Sequence, residues 1–254
     1  METKKQKKSV ASNFIYGRHP VVDAIENGAS LDKVMILQNI RGEFEKQVRK
    51  LCKEYVIPLH AVSKDRLNKI TKKNHQGIIA YMAEVEYQQL DNVFPTIYDK
   101  GEMPLIMLLD GVTDVRNIGA IARSAEAIGA HAIVVPTKGS GLINAEAMKT
   151  SAGALSAIPV CRTTSLVTVI DYLQMNGVHV VAADLSGKKM LYELELTGPT
   201  AIVVGAEDRG VARHLLKMVD ERFKIPMGGT TDSFNVSVAS GIVLYEVLRQ
   251  RSLA

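Results

Sequence analysis

Three short stretches of this chain carry residues unusual for plain surface turns, and the last of them, from Gly228, has small hydroxyl and amide side chains where a solvent loop would normally carry Lys, Glu or Pro. They are "LDGVTDVRNIGAIARSAEAIGA" (109–130), "VVGAEDRGV" (203–211) and "IPMGGTTDSFNVSVASG" (225–241). In the first, Asn117 is placed to cap a helix beginning at Ile118. At 100° per residue, Ile118, Ile121, Ala122, Ala125 and Ile128 share a face to be buried, and Arg123 points away from it. Its helical neighbours Gly119, Ala120 and Ala127 are small. Either something large approaches Arg123 across them, or the arginine is an exposed one paired with Glu126. In the second stretch, Gly205 ends an apolar strand and permits close backbone approach to a ligand, which Glu207 would then face; the alternative is a plain strand-to-helix turn. In the third, Gly228 and Gly229 permit positive φ, while Ser233 and Asn235 can donate and accept hydrogen bonds. A polar N-cap for helix 236–250 would explain one such group but not the whole run.

These stretches need a frame. "PLIMLLDGV" (104–112) is a nearly continuous apolar run of the kind buried on both faces of a parallel sheet. It is followed by a helix at 117–129, strand "HAIVVP", a helix around 144–155, strand "IPVCR" and a helix at 165–176. Strands "VHVVAAD" (178–184), "TAIVVGAE" (200–207) and "RFKIP" (222–226) complete the series. Strand–helix alternation at this spacing predicts an α/β domain with a mainly parallel sheet. All three stretches then lie at carboxyl ends of strands, where open α/β sheets bind ligands. Upstream, "KVMIL" and "GIIAYMA" read as strands and "EFEKQVRKLCKEY" as an amphipathic helix. The expected organisation is a disordered basic tail (1–12), a small α/β unit (13–83), a polar, turn-rich linker (84–103) and the larger domain (104–254).

Charge divides the chain in the same place. Residues 1–82 hold sixteen Lys and Arg against eight Asp and Glu, whereas the remainder is mildly acidic. The basic third is expected to meet a polyanion, with Arg18 and His75 as contact residues; Lys4, Lys5, Lys7 and Lys8 alone would otherwise make a solubilising tail. No apolar run approaches the roughly 18 residues of a membrane span, and the start lacks the apolar core of a signal peptide. Cys52 and Cys161, far apart, read as reduced thiols of a cytoplasmic protein. A Walker loop and a G-x-G-x-x-G after the first strand are both missing, which argues against a dinucleotide enzyme. The histidines show no metal-ligand spacing, so no metal is expected.

Taken together, "NIGAIAR", "GAEDRG" and "SFNVSVASG" resemble, in order and spacing, the three signature motifs of the SpoU class of RNA ribose 2′-O-methyltransferases. The likeness covers about residues 104–250. "YGRHPVVDAI" and "HQGIIA" resemble the ribosomal-protein-like substrate-binding domain of the branch that modifies guanosine in large-subunit ribosomal RNA. Two positions depart from the pattern: Val115-Arg116 where Pro often precedes the Asn motif, and Phe234 where Leu is usual.

The resemblance implies a C-terminal trefoil-knot (SPOUT) methyltransferase domain beside a smaller N-terminal α/β RNA-binding domain. It implies S-adenosylmethionine as cofactor, cupped by the loop 227–235, with Gly205, Ile225, Met227, Phe234 and Asn235 in contact. It implies catalytic roles for Arg123, Asn117, Glu207, Ser233 and Asn235. The reaction would be methylation of a ribose 2′-hydroxyl, of a guanosine in 23S ribosomal RNA. A transfer-RNA enzyme of the same chemistry, or a non-catalytic RNA-binding assembly factor, are the alternatives. A two-fold dimer is implied too, and helix 236–250, apolar nearly all round, would need such cover.

Overall fold

A computed structural model of the chain describes residues 13–253; the expected basic tail, 1–12, lies outside them. The described chain forms two compact units that meet between Ala83 and Glu84.

The first unit runs β1 (Phe14–Tyr16), α1 (Arg18–Glu26), β2 (Leu31–Leu37), α2 (Glu43–Glu54), β3 (Leu59–Val62), α3 (Lys64–Ile70) and β4 (Ile78–Met82). Its sheet has the order β1-β4-β2-β3. The β2–β3 pair is parallel and the others antiparallel. α1 and α2 cover one face, burying Val21, Val22, Ile25, Val48 and Cys52 against Val34, Ile36 and Ile78. His75, expected to touch RNA, is buried instead. Its Nδ1 accepts from the Gly77 amide at 3.0 Å and its Nε2 lies 3.0 Å from Asn68 Oδ1. That imidazole fixes the turn into β4. Arg18 is exposed, its guanidinium 4.6 Å from the centre of the Phe44 ring.

The stretch expected as a linker is structured. It supplies β5 (Tyr87–Gln88) and α4 (Leu90–Asp99) to the second unit. Leu90, Val93, Phe94 and Ile97 recur at helical spacing, and all four are buried on the sheet. The second unit continues with β6 (Leu105–Asp110), α5 (Val115–Ile128), β7 (Ala132–Pro136), α6 (Ala145–Thr150), α7 (Ala154–Ala157), β8 (Val160–Thr163) and α8 (Leu166–Met175). Then come β9 (His179–Ala183), β10 (Lys189–Met190), a 3₁₀ turn, β11 (Thr200–Gly205), α9 (Arg213–Leu216), β12 (Glu221–Lys224) and α10 (Val236–Arg251). The one helix expected around 144–155 is two, because Ala152 and Gly153 both take positive φ (49° and 97°) and break it.

Eight strands form one sheet in the order β10-β12-β9-β11-β6-β7-β8-β5, and every pairing is parallel. Ile106, Met107, Leu108 and Leu109 in β6 and Ala201, Ile202 and Val203 in β11 are fully buried, as continuous apolar runs in a two-sided sheet must be. α4 and α8 pack on one face; α5 and α10 pack on the other and against each other. Gly119 makes close packing on α5 possible: a Cβ there would lie 2.5 Å from the Ala147 carbonyl oxygen. This glycine is therefore buried under α6 and is not part of an open floor beside Arg123.

α10 buries Val236, Ser240, Val243, Leu244 and Val247 and leaves Val238, Tyr245 and Leu248 exposed. At its far end the Arg251 guanidinium donates to the carbonyl oxygens of Met103 (2.9 Å), Pro104 (2.9 Å) and Gly198 (2.7 Å). These residues immediately precede the two central strands. Burial without a carboxylate partner holds this guanidinium below its ordinary pKa.

Candidate active site

The strand order reverses between β6 and β11: the chain proceeds from β6 through β7 to β8 on one side, and places β9 and β12 on the other. Gly205, the last residue of β11, lies opposite Asp110, the last of β6. The first two chemistry-bearing stretches leave the sheet at this switch point, the place where a parallel sheet opens a crevice.

Asn117 does not cap its helix. Asp114 does, accepting from the Arg116 amide at 2.9 Å, and α5 begins at Val115, three residues before the expected start at Ile118. The Arg116 side chain hydrogen-bonds back to Asp114 and holds that carboxyl below the usual carboxylate range. With the cap supplied by Asp114, the Asn117 side chain is available for tertiary contact. Buried at the start of α5, it donates from Nδ2 to Glu207 Oε1 at 2.9 Å. Asn235, the N-cap of α10, accepts from the Ser237 amide (2.9 Å) and the Ser237 hydroxyl (2.6 Å). Its Nδ2 donates to Asn117 Oδ1 at 3.2 Å and to Glu207 Oε1. One residue from each stretch thus meets in a hydrogen-bonded trio, and Glu207 Oε2 is left without a partner among the described residues.

Two further contacts hold the loop that carries Glu207. Asp110 Oδ2 accepts from the Ala212 amide at 2.7 Å. Ala206 and Gly210 pair as an isolated bridge, folding the loop back over the strand end. A Cβ at Gly205 would sit 2.0 Å from the Gly210 carbonyl carbon and 2.1 Å from the Val211 nitrogen. Gly205 is therefore required by the chain's own backbone, a different reason from the expected approach of a ligand.

Beside the trio lies a cavity of about 640 Å³. Val204, Phe223, Ile225, Phe234, Val236 and Ala239 give it apolar walls, and Gly205, Glu207, Met227 and Ser233 also line it. Asp184 and Arg222, 3.6 Å apart, stand on its edge. This volume and this mixture of apolar wall and a few polar groups suit an adenosine-containing ligand. Met227 and Phe234 are 39% and 38% exposed, large apolar side chains standing at the cavity with nothing over them. The loop between Met227 and Asn235 is exposed throughout. Neither Gly228 nor Gly229 takes positive φ, contrary to expectation, and a Cβ on either would meet open space. Among the described residues the side chains of Thr230, Thr231, Asp232 and Ser233 make no hydrogen bond and no ion pair.

Arg123 stands apart from the trio and is not part of the cavity wall. It is exposed and forms no ion pair with Glu126 or any other acid among the described residues. Sequence reasoning missed Asp110 and Ser237. An acid ending an otherwise wholly apolar strand was the available signal for the first. No group of three His, Cys, Asp or Glu able to hold a metal occurs among the described residues.

The sequence profile of the SpoU rRNA Methylase family matches residues 104–245, and that of RNA 2′-O ribose methyltransferase substrate binding matches residues 14–88. The chain belongs to the SpoU rRNA methylase family. It is accordingly an RNA 2′-O-ribose methyltransferase, and its cofactor is S-adenosylmethionine. A Yersinia pestis protein, 23S rRNA (guanosine-2′-O-)-methyltransferase RlmB, is 35% identical over 246 residues, covering 95% of this chain and 99% of the relative. Bacillus subtilis YacO, named for the TrmH family of tRNA/rRNA methyltransferases, is 32% identical over 241 residues, covering 94% and 96%. Among solved structures, the SpoU methyltransferase AviRb from Streptomyces viridochromogenes, in complex with AdoMet, shares the fold. Its TM-score is 0.61 at 24% identity, with 99% of this chain and 96% of that one covered.

Proposed function

We propose that this methyltransferase modifies a guanosine ribose in 23S ribosomal RNA, and that the trio and the cavity beside it form its active site. The observation that carries the site is the convergence of Asn117, Glu207 and Asn235, from three distant segments, at the edge of a cavity of fitting size. The guanosine and 23S assignment is supported by the relative named above, alike over nearly its whole length.

Bound S-adenosylmethionine supplies an electrophilic methyl on a sulfonium that is already a good leaving group. In this reading Ile225, Phe234 and Val236 give its adenine an apolar slot, while Gly205 and Met227 lie along the same cradle; Asn235, expected to touch the cofactor, is not in the cavity wall and belongs to the trio beside it. Asn117 and Asn235 fix the Glu207 carboxylate, so Oε2 is presented to substrate in a single orientation. Ser233 offers a hydroxyl not engaged by any of the described residues. Arg123 aligns the ribose oxygen and an adjacent phosphate through its guanidinium and offsets the charge that develops as the hydroxyl attacks. It pairs with no carboxylate among the described residues, which leaves it available for that role.

The exposed stripe of Val238, Tyr245 and Leu248 on α10 supports a two-fold dimer through this helix. No described helix is long and apolar enough to cross a membrane. Burial pushes both thiols up to about 12 and keeps them inert, consistent with a cytoplasmic enzyme. Mapping 2′-O-methyl sites in 23S and transfer RNA, with and without the protein, tests the assignment. Loss of one 23S guanosine methyl supports it; a change confined to transfer RNA refutes it.

A further inference from the structure

The two faces of the N-terminal sheet are unequally covered. Among the described residues, eleven buried apolar side chains form the cluster between the sheet and α1 and α2, but the cluster on the opposite face, with the seven-residue α3, buries three: Met35, Leu67 and Ile79. The rest of that face, within its own unit, carries a corner of aromatic rings. Phe14 and Tyr81 are cross-strand partners in β1 and β4, with ring centres 6.0 Å apart, and Tyr16 lies 6.2 Å from Phe14. All three are half-buried. What lies over them is ammonium: Lys33 Nζ is 4.8 Å from the Tyr81 ring centre and Lys73 Nζ 5.9 Å from that of Tyr16. Lys73 ends a strip, residues 64–73, with five exposed cations and one acid, and none of the five forms an ion pair among the described residues.

We infer that this face binds an unpaired segment of the RNA, its bases stacked on the Phe14, Tyr16 and Tyr81 rings and its phosphates along the strip 64–73. The inference rests on the reading of the enzyme as acting on RNA and adds which form of RNA this unit holds and by which residues. An ammonium over a half-buried ring of this kind, itself open to water, is held more weakly than a base stacked on it. An arriving base therefore displaces Lys33 or Lys73 from its ring, and the freed ammonium meets the accompanying phosphate. Only unpaired bases present a face to such rings, because a duplex keeps its bases stacked on one another. The strip supplies the complementary charge, and aromatic rings beside it distinguish this surface from a merely solubilising one.

The test uses the full chain and a fluorescein-labelled, unstructured 12-nucleotide RNA, alone and annealed to its complement, followed by anisotropy over a range of salt. Tyr16→Leu with Tyr81→Leu keeps apolar bulk on the sheet and removes two of the three π faces, leaving Phe14. It should weaken single-strand binding at least about tenfold while changing duplex binding less than about twofold. Tyr16→Phe with Tyr81→Phe should bind as wild type. Lys69→Gln, Lys72→Gln and Lys73→Gln together should lower the slope of log affinity against log salt by about two. Unchanged thermal melting and unchanged S-adenosylmethionine titration show that the variants are folded. Single-strand affinity equal to wild type in the leucine variant overturns the proposal, as does an equal loss on duplex. A shift in oligomeric mass without a shift in RNA affinity overturns it too, by making the face a self-association surface. In each of these cases the wild type still transfers methyl to RNA; a wild type that neither binds nor methylates RNA defeats the broader reading as well.

Discussion

Replacing Gly205 by alanine tests how the site is held. The added Cβ would lie 2.0 Å from the Gly210 carbonyl carbon, while real Cβ atoms essentially never approach closer than 3.0 Å. The loop over the strand end must therefore move by at least about 1 Å, and the partners in the clash are backbone atoms that cannot rotate aside. Glu207 sits within that loop, so its hydrogen bonds to Asn117 and Asn235 move with it. Overpacking of this kind costs about 1–3 kcal/mol of stability, which a sheet of eight strands tolerates. A misplacement of about 1 Å costs roughly a hundredfold in rate. Gly205→Ala should then fold, melt a few degrees lower, and transfer methyl at about one hundredth of the wild-type rate. The measurement is single-turnover transfer of labelled methyl to RNA, alongside calorimetric titration of S-adenosylmethionine. Gly198→Ala, away from the cofactor loop, is the control, because a Cβ there meets nothing within 4 Å and its φ is not positive; its rate should stay within about twofold. A Gly205→Ala enzyme with wild-type rate and cofactor affinity would refute the argument that backbone packing positions Glu207.

Arg123→Ala should cut the transfer rate at least about a hundredfold, the scale of losing one electrostatic stabiliser, with little change in cofactor affinity because Arg123 is not in the cavity wall. Arg123→Lys should fail nearly as badly, since an ammonium cannot span a phosphate and a hydroxyl as the planar fork does; near-normal turnover of either variant returns Arg123 to the solvated surface. Tyr245→Glu with Val238→Glu should convert a dimer to a monomer in light scattering at micromolar concentration, and a wild type that is already monomeric rejects the dimer. His131 Nδ1 accepts from the Leu105 amide, and burial is the main reason its pKa lies below the ordinary 6.5. The folded state therefore resists protonation, so stability is full above pH 6.5 and falls as pH drops through the lowered pKa. Thermal melts from pH 8 to pH 5 should show this decline in the wild type and a shallower one in His131→Gln, and identical pH profiles would count against it.

What the sequence disclosed and what it hid have physical explanations. The parallel sheet was legible because strands buried on both faces write themselves as unbroken apolar runs, as "LIMLL" does. α4 was hidden by Pro95, which sits inside the helix, and by the polar residues between its buried positions. The amphipathic spacing of Leu90, Val93, Phe94 and Ile97 outweighed both. Asn117 was noticed as a polar residue at a helix start, but its role depended on Asp114 taking the cap, which local sequence leaves undecided between two good capping residues. His75 lies in a basic stretch yet is buried by a turn, and charge counting cannot see a hydrogen bond to Gly77. Gly205 stood out by type. The reason for it, contact with backbone five residues downstream, appears only once the loop has closed.

The Arg251 clamp bears on the order in which the molecule acquires activity. α10 has sixteen residues, about 24 Å of helix, with Asn235 at one end among the carboxyl ends of the strands. Arg251, at the other end, grips the carbonyls that precede β6 and β11. Those acceptors come together only after the two central strands have paired, so the helix has no complete seat on a chain whose sheet is still forming. The trio it completes joins residues 90 and 118 positions apart, contacts that close slowly because long loops must be ordered first. The seat of the last helix, and with it the trio, is therefore expected to be complete only once β6 and β11 have paired. An intermediate with paired strands and an undocked final helix would be compact, largely parallel-sheeted and inert.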